Sequence, residues 1–235
     1  MNKSITAICI TLLITLICIG FTGCANNKQI TEATNTTTEE TKTNTIQVKK
    51  LTSAEQDLLT LAGVNTSPVF LDYSVDNTIK SIILYTQAYQ NGKLVDISGL
   101  QVLSMNTDNA YTGTIALSSY PKDNSNTINW SCAIHRQSTG SASTSSTTWE
   151  TQLPNTSEYM GMAMEQLQHT TDIVAGKPIV LTVFVYDQDG DIDFYGTNDN
   201  PEIISKYDYV YIQRCIFSAK NSDDVILPSL ETTPQ

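Results

Sequence analysis

The sequence predicts a mainly β protein: an antiparallel β-sandwich, Ig-like or jelly-roll-like, with a short N-terminal helix. Three observations lead there. Between residues 51 and 220, roughly eight or nine runs of strand character follow one another at near-regular spacing. Asn91-Gly92 and Asp189-Gly190 are two-residue hairpin signals, because such pairs tolerate positive φ. No strand alternates with a long helix, which sets aside Rossmann-like and solute-binding α/β folds.

The chain opens with a different kind of segment. Lys3 and the α-amino group give a short positive start, and an apolar run from Ile5 to Phe21 follows. The run ends in small residues before a cysteine, which is the physical pattern of a signal peptide, residues 1–23. The ending Phe21-Thr22-Gly23-Cys24 resembles the lipobox of bacterial lipoproteins. The resemblance implies cleavage before Cys24 and a diacylglycerol on its thiol. Each buried methylene contributes about 0.8 kcal/mol, so two long acyl chains of the palmitate class anchor a protein where one would not. The implied location is the extracytoplasmic face of a cell membrane. Residues 24–50 are then a tether. Thr, Asn, Glu and Lys dominate it, and a segment with so little to bury stays disordered. As a flexible coil it spans roughly 25–30 Å.

The folded part is expected over residues 51–220, with 221–235 as a loose tail. Thr52 and Glu55 form a capping box, and Ala54, Leu58, Leu61 and Ala62 share one helical face that should pack on a sheet, with Gly63 as a stop. After Pro68 the period becomes two: Val69, Leu71, Tyr73 and Val75 alternate with Asp72 and Ser74. Ile79 to Gln90 is a longer strand, apolar on both faces at Ile82-Ile83-Leu84, and Lys93 to Ser104 returns from the Asn91-Gly92 turn with a break at Gly99. Tyr111 to Ser118 and Thr127 to Arg136 are two more strands; Ile128, Trp130, Cys132 and Ile134 share a face. Ser138 to Thr148, nearly all Ser, Thr, Gly and Ala, reads as a loop. Around Met160, Met162 and Met164 a short strand is expected, then a turn. Ile179 to Asp187 is the clearest strand, with Ile192 to Tyr195 returning from Asp189-Gly190 and Tyr207 to Ala219 closing the fold.

Of 13 Lys plus Arg, removing the leader takes Lys3 and leaves 12, against 24 Asp plus Glu. That balance argues against nucleic acid and anionic membrane surfaces as direct partners, since each calls for a basic patch. It suits cations, basic proteins or neutral glycans. Cys9 and Cys18 leave with the signal and Cys24 is taken by lipid, so Cys132 and Cys215 remain as a candidate disulfide or as two buried thiols.

Asp187, Asp189, Asp191 and Asp193 place four acids in seven residues, the kind of oxygen-rich loop that holds Ca²⁺. Ile192 stands where an EF-hand needs Gly, and an Asp-Gly turn with solvated acids accounts for the same residues. Tyr207, Tyr209 and Tyr211 line one strand face, where exposed rings would stack on sugars or anchor a protein partner and buried ones would be core. His135 and His169 sit in no zinc or nucleophile motif. The reading is a lipid-anchored, extracytoplasmic, non-catalytic binding domain for a protein or glycan partner. The alternatives are a cell-wall or glycan hydrolase, whose paired carboxylates leave no sequence trace, and a Ca²⁺-stabilised structural module.

Overall fold

A computed structural model describes residues 43–62, 64, 68–105, 109–121, 127–152, 161–190, 192–193 and 201–229. The signal segment, Cys24 and the tether to residue 42 lie outside them. So do Gly63, Met160, Asp191 and Tyr195.

The architecture is mainly antiparallel β in two sheets, as the strand spacing predicts. Eleven strands run β1 (Thr45–Val48), β2 (Val69–Val75), β3 (Ser81–Gln90), β4 (Lys93–Ser104), β5 (Tyr111–Pro121), β6 (Thr127–Ser138), β7 (Ser141–Gln152), β8 (Gly161–Gln166), β9 (Thr171–Asp172), β10 (Pro178–Asp187) and β11 (Tyr209–Ser218). One sheet has the order β7-β6-β5-β2-β1-β9; the other is β4-β3-β11-β10-β8. Helix α1 (Ser53–Leu61) links β1 to β2, and α2 (Pro201–Lys206) precedes β11.

Period-two patterning decides which residues face inward. β2 alternates buried and half-buried residues along its whole length. Its inward side chains meet Ile115, Leu117, Cys132 and Ile134 of the same sheet and Ile82, Leu84, Leu181, Cys215 and Phe217 of the other, forming the main core. A second inner cluster joins Ile128 and Trp130 to Ala88, Phe184, Tyr186 and Tyr211. β3 is apolar on both faces because the outer face of its sheet is also buried. There Val183, Val185, Val210 and Ile212 pack with Ile192 and with Ile203 and Ile204 of α2.

Several expectations need correction. The folded domain begins before Leu51: β1 lies inside the stretch read as tether, pairs with both β2 and β9, and buries Ile46 completely. The Ser/Thr run is strand β7 instead of a loop. Its backbone pairs with β6 over twelve residue pairs from Thr127↔Gln152 to Ser138↔Ser141, and β-branched Thr suits that pleat. Helix α1 has its capping box, yet none of its residues is buried; Leu58 is 66% and Leu61 83% exposed. It connects antiparallel neighbours within one sheet, and Lys49 N–H bonds to the Phe70 carbonyl at the strand ends, so it crosses no sheet face. No strand returns from Asp189-Gly190 over Ile192–Asp193, because β10 already pairs with β8 on one side and β11 on the other. Tyr207, finally, precedes β11 and joins the outer cluster, while Tyr211 joins the inner one, so the three tyrosines do not share a face.

The other hairpin forms as expected, with Asn91 and Gly92 at φ +48° and +78° and Gln90 paired to Lys93. β4 is not broken at Gly99. Gly99 (φ +64°) sits in a bulge opposite Tyr85, between the pairs Leu84↔Gln101 and Thr86↔Ser98.

Candidate functional site

At one end of the sandwich, β3, β4 and β11 stand apart from the end of β7 and leave a cleft of about 490 Å³. Its sheet wall is made by Ala88 and Gln90, by Val95 and Asp96, and by Tyr209 and Tyr211. Glu150, Thr151 and Gln152 close it from β7. The local folding rules place these groups. Ala88 pairs with Asp96 and Tyr211, so all three lie in one row on the inner side of the sheet. Gln90 Nε2 donates to the Tyr209 hydroxyl at 2.6 Å, which holds that half-buried ring across the mouth. The Tyr211 hydroxyl donates to the Gln152 carbonyl at 3.2 Å and ties the two sheets together at the floor.

Behind the floor the interior is polar in an ordered way. Ser98, Thr86, Gln213, Thr182 and Gln166 are direct neighbours across all five strands, in the register Ser98↔Thr86, Thr86↔Gln213, Gln213↔Thr182 and Thr182↔Gln166. This row separates the two inner apolar clusters. Thr182 Oγ1 donates to Gln213 Oε1 at 2.6 Å in full burial. Among the described residues, however, Gln213 Nε2, Thr86 Oγ1, Ser98 Oγ, Thr151 Oγ1 and the indole N–H groups of Trp130 and Trp149 have no hydrogen-bond partner. Gln101 Oε1 is likewise without a partner among the described residues, and since buried polar groups are almost always satisfied, these groups call for an explanation. Trp130 is wholly buried, stacks on Trp149 at 6.3 Å and meets Phe184 edge-on at 4.8 Å.

The cleft carries two carboxylates, Asp96 and Glu150. Asp96 lies on the inner side of its strand. Glu150 alternates with the inward-packed Trp149 and Thr151, so its side chain leaves on the opposite side of β7. Both are exposed.

Of the residues singled out in the sequence, Tyr209 and Tyr211 reach the cleft and Tyr207 does not. The Tyr207 hydroxyl instead donates to the Asp193 carbonyl at 2.9 Å. Asp187 stands at the end of β10 beside Asp208, and its carboxyl is held above the usual range by burial and by the charges of Asp208 and Asp189. Asp208 accepts from Gln188 N–H at 3.0 Å. Among the described residues, no three His, Cys, Asp or Glu side chains gather as metal ligands. Met162 and Met164 are exposed on β8. His135 bonds to Thr144 at 3.1 Å on the outer face of the other sheet, and His169 is exposed. Cys132 and Cys215 are free thiols facing the same core from opposite sheets, and burial pushes Cys132 up to about 12 and Cys215 higher still.

Sequence reasoning missed Gln90, Asp96, Thr151, Gln152 and the polar row. They come from six strands and meet only through long-range register; single polar residues inside apolar strands were the one available signal.

Fold and cleft define the class: a two-sheet antiparallel sandwich with an inter-sheet cleft at one end. The chain belongs to the YgaN domain family, whose model matches residues 45–217, from the first residue of β1 to the penultimate residue of β11. No curated protein and no solved structure matches it.

Proposed function

We propose that this chain is a lipoprotein held on the extracytoplasmic face of a cell membrane through Cys24, and that its sandwich is a binding module rather than an enzyme. The observation that carries the binding role is the cleft between β3, β4, β11 and β7, walled by Tyr209, Gln90 and Asp96. It offers an aromatic ring, an amide and a carboxylate, which are recognition groups. Its two acids point to opposite sides of their sheets, which favours the binder over the hydrolase. The anchor rests on the Thr22-Gly23-Cys24 ending after an apolar run.

The anchoring is tested by Cys24→Ser. Wild type is expected in the membrane fraction with a lipid mass on its N-terminal peptide, and the variant without it. A variant equally membrane-bound, or a wild-type peptide with no added mass, contradicts the lipoprotein reading.

A further inference from the structure

The free edge of β8 is a second open surface of the fold, separate from both the anchor and the cleft. We propose that β8 pairs with β8 of a second copy of this chain, antiparallel and two-fold about Ala163, so that two five-stranded sheets join into one of ten. Among the described residues β8 ends its sheet and pairs on one side only, with β10. The other sheet ends offer no comparable edge. β4 and β7 close on each other, through Gly99 against the Trp149 ring and through Gln101 Nε2, which donates to Ser145 Oγ at 2.8 Å. β9 is only two residues long.

Edge strands that stay unpaired are guarded by a lysine, a proline or a bulge. β8 has none of these, and its register with β10 runs unbroken from Gly161↔Asp187 to Gln166↔Thr182. It instead holds two large apolar side chains in solvent, Met162 at 64% and Met164 at 39% exposure. Both lie on one side of the strand, beside their buried register partners Tyr186 and Phe184. The apolar interior of the sheet therefore runs out to its edge and stops without cover.

The order of residues selects a second copy as the occupant. Gly161-Met162-Ala163-Met164 alternates small and large side chains about Ala163. Two-fold pairing there sets Met162 against Met164 of the second copy, and Met164 against Met162, which gathers four flexible thioether side chains on one face. Ala163 meets its own counterpart on the other face. Glu165, the one charge of the strand, falls opposite Gly161 of the second copy. No like charges meet, although each chain carries a net −11. Such a pairing is isologous and uses up both edges, so assembly stops at two. Six residues on each side make a small contact, so the dimer should be reversible.

Sedimentation velocity of the Cys24→Ser chain, which carries no acyl anchor, tests this. The expected result is a monomer–dimer equilibrium whose dimer fraction rises with concentration up to about 1 mM. Met162→Lys with Met164→Lys should weaken the dimer about tenfold or more. The melting temperature of the monomer should not fall, since both side chains are exposed. Ala163→Cys should cross-link to a second copy through a short bis-maleimide, while Ser146→Cys, exposed on β7, should not. Monomer at every concentration, a dimer indifferent to the lysine pair, or assembly beyond two copies overturns the proposal. A dimer in which Ala163→Cys does not cross-link overturns the two-fold about Ala163. Neither the anchor nor the cleft enters these measurements, so their failure leaves the binding reading to its own tests.

Discussion

A Cβ placed on Gly99 would lie 2.3–2.6 Å from the Trp149 ring, and the backbone there has φ +64°. Gly140 has φ +79° with nothing within 4 Å. Gly140→Ala should thus incur only the left-handed backbone penalty, about 1–2 kcal/mol. Gly99→Ala should incur that and the clash, and it should unfold at clearly lower urea. Equal midpoints for the two variants would show that Trp149 does not rest on Gly99. Glu55 supplies a second test. The Thr52 backbone N–H, Lys49 at 2.9 Å and the Thr52 hydroxyl hold its carboxyl down to about 2, below its ordinary 4.5. Since the folded value is depressed, its support for α1 is complete above the unfolded value and is lost as pH falls toward 2. An NMR titration should find the Glu55 midpoint near 2; a midpoint at 4.5 would mean the capping box is open. At this scale the sequence was legible where chemistry is local, as in the Thr52–Glu55 box. It was silent where the partner is distant, as for Gly99 and Trp149.

Elements were legible in proportion to how much of their pattern is apolar. β2 and β10 could be read because buried Val, Ile, Leu and Phe recur along them. β7 could not, because exposed or half-buried Ser, Thr and Ala fill most of it, and Thr151 is its one buried residue. β1 hides in a polar stretch and buries a single residue, Ile46. The Asp-Gly signal after β10 marked a turn but not a hairpin, since pairing partners on both sides of β10 come from elsewhere in the chain. That geometry bears on the calcium reading. Asp187 faces Asp208, and Asp193 uses its carbonyl for Tyr207. A cation bound only to the native state at a hundred times its Kd would add about 2.7 kcal/mol. The melting temperature should be the same in millimolar Ca²⁺ and in chelator. A rise in Ca²⁺ that Asp189→Asn with Asp191→Asn abolishes would restore the structural-metal module.

For the whole molecule, the sandwich could be foreseen because layer architecture follows from periodicity summed over many strands. The cleft could not, since it depends on where one sheet stops covering the other. Gln90 and Asp96 are exposed and lie near the turn joining β3 to β4, so replacing them leaves the core untouched. If the cleft is a binding site, this end of the sandwich should hold the chain to a component of the cell envelope. Co-sedimentation of the unanchored Cys24→Ser chain with isolated envelopes tests it most directly, alone and with Gln90→Ala plus Asp96→Ala added. The Cys24→Ser chain should sediment with the envelopes, and the added pair should abolish this with an unchanged melting temperature. Undiminished sedimentation of the cleft variant, or none by the Cys24→Ser chain itself, would contradict it.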